Sequence, residues 1–242
     1  MAITMSYRFA VPDRATMARQ LHYIRGYRTG HSRHSGRSCP DHAQPKLNSD
    51  WTAPLTISMI FFARVAQPGD AWKGPSEIGQ WFDTLHSLSR MPAQLTKGSA
   101  VRTHAVWRTA VADSDIRQHH LKPRLPQETI RRLDTIFSSK GCIEIDSALL
   151  QANKLGNYFL KAQEVGKGRR PFLTSTGCLA IGPEGLRHRD DVVVICGASV
   201  PCVVRRRMAG GGFDLIGEAY VDGCMDGQII TPDVEIEEIK LY

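Results

Sequence analysis

The chain has no Cys-x-x-Cys pair among its six cysteines, Cys39, Cys142, Cys178, Cys196, Cys202 and Cys224. This removes the spacing of a zinc ribbon or a thioredoxin-type redox motif. The opening MAITMSYRFAVPDR has no secretory apolar run, because Arg8 and Pro12 interrupt it. The most apolar window, PLTISMIFFARVA at 54–66, is too short to span a bilayer. An intracellular, thiol-reduced protein without membrane association is therefore expected, and a cytoplasmic location with it. Signatures of common enzymes are missing as well. There is no G-x-S-x-G elbow and no cysteine-nucleophile box. GKGRRP at 166–171 is too short for a phosphate-binding P-loop, and a G-x-G-x-x-G fingerprint is absent. Asp222 and Asp226 do not fit an EF-hand loop. No cofactor, no metal and no catalytic set are expected, and no internal repeat is visible.

What is present is a globular composition, 42% hydrophobic and 23% charged, with a net charge of +7 unevenly spread. Residues 1–50 carry eight Lys/Arg against three Asp/Glu, whereas residues 213–242 carry one Lys against eight acids. The basic balance thus belongs to the front and middle of the chain. It does not describe one continuous basic face, so nucleic acid is not the expected partner.

Residues 1–50 are Arg-, His-, Ser-, Gly- and Pro-rich without apolar periodicity, and read as a disordered basic tail. Residues 51–168 read as a helical region. Ile78, Trp81, Phe82, Leu85 and Leu88 recur at helical spacing after a Pro-Ser start, and Ile130, Leu133 and Phe137 form a second stripe within 126–139. HAVWRTAVAD at 104–113 suits a buried helical turn or strand, and 145–165 suits a third helix capped by Asp146 or Ser147. Residues 169–242 break into short β-type runs separated by Gly, Pro and Asp, as in a small antiparallel β-barrel or sandwich of about six strands. Val192–Ile195 is apolar throughout, as a strand buried on both faces would be. The expected fold class is α+β, a helical N-terminal half followed by this β domain.

Four groups of polar residues invite a chemical reading. His31, His34, Cys39 and His42 offer four zinc-type ligands, but their two pairs lie too close together in a polar segment, so a His-rich linker is the simpler account. His119 and His120 sit among charges and prolines, as a surface loop would. Arg205, Arg206 and Arg207 precede a glycine-rich hairpin loop at 209–213, with no interleaved aromatic platform for single-stranded nucleic acid. Glu218, Asp222 and Asp226 crowd one short stretch, GEAYVDGCMDGQII. The glycine after each Asp points to turns in preference to a carboxylate site, which leaves Glu218 as the one acid no turn explains.

The β half taken as one string carries Arg170, Phe172, Thr174, Gly177, Gly182-Pro183, Asp191-Val192, Gly197, Pro201, Arg205, Gly217-Glu218, Tyr220-Val221, Gly223, Met225 and Gly227. In that order and spacing it resembles the C-terminal region of fungal heterokaryon-incompatibility (HET-domain) proteins. VWRTAVAD at 106–113 resembles an element upstream in the same proteins. Ala180, Asp190, Val204 and Gln228 depart from the pattern, where the family has Gly, Gly, Leu and Glu. Nothing in residues 1–103 resembles the HET domain itself, so the expectation is the C-terminal part alone.

The resemblance implies a non-enzymatic accessory or regulatory interaction module of fungal non-self recognition and programmed cell death. Its expected partner is a protein, including full-length HET-domain proteins. The candidate interaction residues are Glu218, Tyr220, Arg205, Arg206 and Arg207. The alternative is a small-molecule-binding or hydrolytic β-barrel using Glu218, Asp222 and Asp226, which requires those side chains to converge in one pocket.

Overall fold

The computed structural model describes residues 54–91, 99–114, 124–137, 151, 154–198, 200–230 and 233–242. Strand β1 (Leu55–Pro68) comes first. Helices α1 (Ile78–Arg90), α2 (Ser99–Ala110), α3 (Gln127–Phe137) and α4 (Gly156–Gly166) follow. Then come β2 (Arg169–Thr174), β3 (Leu179–Pro183), β4 (Asp191–Ile195), β5 (Cys202–Arg206), β6 (Phe213–Glu218), β7 (Tyr220–Val221) and β8 (Glu237–Leu241).

β1 is a strand that lies within the segment 51–168, expected as a helical region. It opens with an apolar–polar alternation, Leu55-Thr56-Ile57-Ser58-Met59, which is the period of a strand. It pairs with β8 over Leu55–Met59, with β4 over Met59–Arg64, and with β2 over Val65–Pro68. Register shifts between Phe61 and Ala63 and between Val65 and Gln67 allow one strand to serve these partners in turn, since an inserted residue bends and re-aims a strand. The sheet therefore has eight strands where about six were expected, with its first strand at Leu55–Pro68.

The pairings β1–β4, β4–β5, β5–β6, β6–β8 and β8–β1 return to their starting strand. All are antiparallel except β6–β8, where Phe213 meets Leu241 and the Tyr242 amide donates to the Phe213 carbonyl at 2.8 Å. The end of β1 continues into a second set, β1–β2–β3–β7.

Side chains alternate between three apolar layers with the period of two that strands impose. Ile57, Met59, Val193, Ile195, Cys202, Val204, Phe213 and Leu241 fill one cluster within the five-strand circuit. Val192 and Val203, on the opposite faces of β4 and β5, meet Phe172, Ala180 and Val221 from the second set. The other face of that set, Leu173, Leu179, Ile181 and Tyr220, joins the helical core. This is why β4 is apolar on both faces, with one side in the circuit and the other against the second set.

The helices follow the expected stripes. Ile78, Trp81, Phe82, Leu85 and Leu88 are buried on α1, each contributing about 1.5–3 kcal/mol by removal from water. The Pro-Ser start forms a single 3-10 turn, Pro75–Glu77, ahead of the helix proper. On α3, Ile130, Leu133 and Phe137 are buried as expected. Of the helix expected over 145–165, Gly156–Gly166 is observed as helix and Gln151 is also helical, with Lys154 between them at φ 56°. Its expected start at Asp146 or Ser147 lies outside the described residues. Trp107 of α2 is fully buried among Phe82, Phe137 and the His86 ring.

Candidate functional site

An arginine within an apolar helix is an expensive placement unless a carboxylate meets it. Arg108 lies in such a stretch of α2, AVWRTAVA, and it meets Asp222 in the turn after β7. Its Nε donates to Asp222 Oδ1 at 2.7 Å and its Nη2 to Oδ2 at 2.8 Å. Tyr220 adds its hydroxyl, donated to the same Oδ1 at 2.9 Å. The Arg108 guanidinium is held above its ordinary range, chiefly by the Asp222 hydrogen bonds. The Tyr220 phenol is pushed up by burial and by Asp222.

A second pair lies alongside. Asp113, just past α2, accepts Arg124 Nη1 at 2.8 Å and the Leu125 amide at 3.3 Å. The other end of Arg124 reaches Asp226. Burial holds the Asp113 carboxyl above the usual range, with Arg124 opposing. Two stretches more than a hundred residues apart, VWRTAVAD and GEAYVDGCMDG, are thereby joined by ionic contacts. Trp107 strengthens the helix side: its Nε1 donates to Asp134 Oδ1 at 2.5 Å and its carbonyl accepts the Tyr158 hydroxyl at 2.9 Å.

The Asp-Gly steps are turns as expected, with Gly223 at φ 79° and Gly227 at φ 74°, where a side chain would be strained. Yet their aspartates do more than turn the chain. Asp222 is a half-buried counter-ion and Asp226 the outer partner of Arg124. Gln228, where the family pattern has Glu, accepts the Asp226 amide at 2.7 Å and donates to Asp226 Oδ2 at 3.1 Å. A carboxylate there would face a like charge.

Glu218 stands apart from these two acids. It lies on β6 opposite Cys202, and its charge acts on the buried Arg169 of β2. Burial holds its carboxyl above the usual range, with Arg169 opposing. Arg169 is in turn pushed down to about 10 by burial, with Glu218 opposing. Glu218, Asp222 and Asp226 thus have separate partners, Arg169, Arg108 and Arg124.

The three arginines before the hairpin are likewise divided. Arg205 is bound to Asp190 through Nε–Oδ1 and Nη2–Oδ2, both 2.8 Å, and donates to the Gly185 carbonyl. Asp190, where the family pattern has Gly, is the carboxylate that holds Arg205. Arg206 lies over the Phe213 ring at 4.8 Å. Arg207 lies over the Tyr242 ring at 4.1 Å and reaches Asp214 at 3.4 Å. Met208, next along, is fully exposed.

The residues that sequence reasoning passed over are Arg108, Asp113 and Arg124. The usable signal was the lone charge inside AVWRTAVA. The His31, His34, Cys39 and His42 set and the His119-His120 pair lie outside the described residues. Among the described residues, no group of three or more His, Cys, Asp or Glu could hold a metal ion, and no helix is long and apolar enough to cross a membrane.

Comparison with known proteins agrees with the resemblance in the C-terminal region. Residues 138–240 match the Het-6 beta-barrel domain family. The chain is similar to heterokaryon incompatibility protein 6, OR allele, of Neurospora crassa, at 46% identity over 65 residues. That alignment covers 26% of this chain and 10% of the Neurospora protein. The region of the family match begins well after β1, the strand that pairs with β2, β4 and β8. No solved structure matches.

Proposed function

We propose that this chain is a non-enzymatic accessory interaction module related to fungal heterokaryon-incompatibility proteins, built on a small five-stranded barrel, with the β5–β6 hairpin as its contact surface. The observation that carries this reading is the hairpin tip. Met208 is fully exposed beside Arg206 and Arg207, whose guanidinium groups are already held over aromatic rings at 4.8 and 4.1 Å. A flexible apolar side chain beside pre-ordered arginines is suited to a protein partner, because arginine is enriched among the residues that dominate interfaces and pre-ordering lowers the entropy lost on binding.

The partner surface that fits is acidic with an apolar recess, and a full-length HET-domain protein is the partner class we assign, in the cytoplasm. The polar residues of the family string support a scaffolding role for the rest of the domain, because Arg108, Tyr220 and Asp222 are engaged with one another. Glu218 is then part of the framework with Arg169.

Co-expression with a full-length HET-domain protein, followed by affinity measurement, tests the proposal. The expected result is complex formation by the wild type and a loss of about tenfold or more in Met208→Glu or in Arg206→Glu/Arg207→Glu, as for interface hot spots, with the melting temperature unchanged. Equal binding by wild type and hairpin variants, or no binding by the wild type, would overturn it.

A further inference from the structure

Cys178 precedes β3 by one residue, and Cys224 closes the turn after β7. Antiparallel pairing of Ala180 with Val221, extended by the Asp222 amide donating to the Leu179 carbonyl at 2.9 Å, carries the register towards Cys178. The Cys224 amide donates to the Val221 carbonyl at 3.1 Å, which folds the turn back. The register thereby places the two cysteines on neighbouring segments, although the sequence gives them no motif spacing. Both lie against the same apolar cluster, with Phe172, Ala180 and Val221.

The surroundings of the two sulfurs differ. Thr174 Oγ1 accepts the Cys178 amide at 2.9 Å, lies 3.0 Å from Thr176 Oγ1, and Thr176 Oγ1 approaches Cys178 Sγ at 3.8 Å. The Cys224 thiol and these hydroxyls favour the thiolate at Cys178, and hold it below the usual thiol range against burial. Cys178 is half-buried, so a small reagent can reach it, whereas Cys224 is buried and its thiol is pushed up. Cys196 is also buried, and burial with the Glu218 charge pushes the Cys202 thiol up to about 12. One accessible sulfur beside one sheltered sulfur is the arrangement in which the first is oxidised and the second resolves it.

We propose that Cys178 and Cys224 are an oxidisable thiol pair, a modification site at which hydrogen peroxide produces a reversible intramolecular disulfide. In the first step the Cys178 thiolate attacks one peroxide oxygen. An S–O bond forms, the O–O bond breaks, and the departing hydroxide takes a proton to leave as water. In the second step the sulfur of Cys224 attacks the sulfenic sulfur of Cys178. The S–S bond forms, the S–O bond breaks, and a second water leaves with the thiol proton. Two thiols are oxidised by two electrons and one peroxide is reduced to two waters. The new bond ties the start of β3 to the turn that carries Asp222, so oxidation clamps the sheet side of the Arg108–Asp222 contact.

The test treats the full chain with dilute hydrogen peroxide and maps the products by peptide mass spectrometry. A Cys178–Cys224 cross-linked peptide should appear ahead of any product at Cys39, Cys142, Cys196 or Cys202, and dithiothreitol should reverse it. In Cys224→Ser, a sulfenic acid at Cys178 should accumulate and be trapped by dimedone. Because serine at 224 could disturb the apolar cluster, the wild-type protein is also alkylated with iodoacetamide across pH. Cys178 should react about tenfold or more faster than Cys202 at neutral pH, with an inflection at lower pH, because the thiolate is the reactive form. Cross-links dominated by other cysteines, or equal alkylation rates at Cys178 and Cys202, would overturn the proposal.

Discussion

Replacing Asp222 with asparagine removes one charge from the contact between α2 and the β7 turn while keeping its shape. The Tyr220 hydroxyl still finds an acceptor in the amide oxygen. Arg108, however, loses the counter-ion for a guanidinium whose side chain is only 24% exposed, and Asp222 itself is 10% exposed. Removing one partner of a buried ion pair costs about 3–5 kcal/mol, because the remaining charge is left desolvated. Arg108 keeps some contact with water and the more distant attraction of Asp113. The expected loss for Asp222→Asn is therefore about 2–3 kcal/mol, below the fully buried range.

Arg108→Lys keeps the charge but offers no planar fork for two parallel bonds, and should lose about 1–1.5 kcal/mol. In urea unfolding, with a slope of about 2 kcal/mol per M, Asp222→Asn should lower the midpoint by about 1–1.5 M without changing the slope. A cycle with Arg108→Met should show coupling of about 1.5–3 kcal/mol, since both single changes break the same contact. A midpoint shift below about 0.25 M for Asp222→Asn, or additive losses in the cycle, would refute the claim that this ion pair fastens the helical layer to the sheet.

Gly212→Ala should destabilise far more than Gly210→Ala. Both have positive φ, but a Cβ at 212 would lie 2.5 Å from the Lys240 carbonyl, whereas nothing lies within 4 Å of one at 210. Losses of about 3 kcal/mol or more at 212 and about 1–2 kcal/mol at 210 are expected, together with faster hydrogen exchange of the Tyr242 amide in Gly212→Ala. Glu218 makes stability depend on pH, because burial holds its folded pKa above the unfolded value. The folded state then binds the extra proton, so this contribution is fully present below the unfolded glutamate pKa and is lost as pH rises through the folded pKa. Urea titrations across that window should show the slope in the wild type and its loss in Glu218→Gln; identical pH profiles would contradict it.

The local periodicities of the sequence determined much of the scaffold. The stripe Ile78, Trp81, Phe82, Leu85, Leu88 gave one buried helical face, and Ile130, Leu133, Phe137 another, because the helical repeat places such residues on one side whatever they pack against. Val192 and Val193 announced burial on both faces, and the Asp-Gly steps announced turns, again from properties of short segments. The string from Arg170 to Gly227 carried the likeness to the heterokaryon-incompatibility proteins, which the comparison found in the same region.

Tertiary structure alone decided which distant segments meet. The apolar window at 54–66 was legible only as too short to span a bilayer, and it became β1 because β2, β4 and β8 supply its hydrogen-bonding partners. Asp222 was readable as a turn residue, but its ion pair with Arg108 depends on α2 packing against β3, the strand that pairs with β7. Arg205, Arg206 and Arg207 look alike in sequence, and only the placement of Asp190, Phe213 and Tyr242 separates them. Cys178 and Cys224 have no motif spacing and are joined by strand register. Periodicity is a property of neighbours along the chain, whereas ion pairs and thiol contacts between remote segments depend on how the elements pack. The sequence therefore fixed the faces and turns, and packing chose the partners.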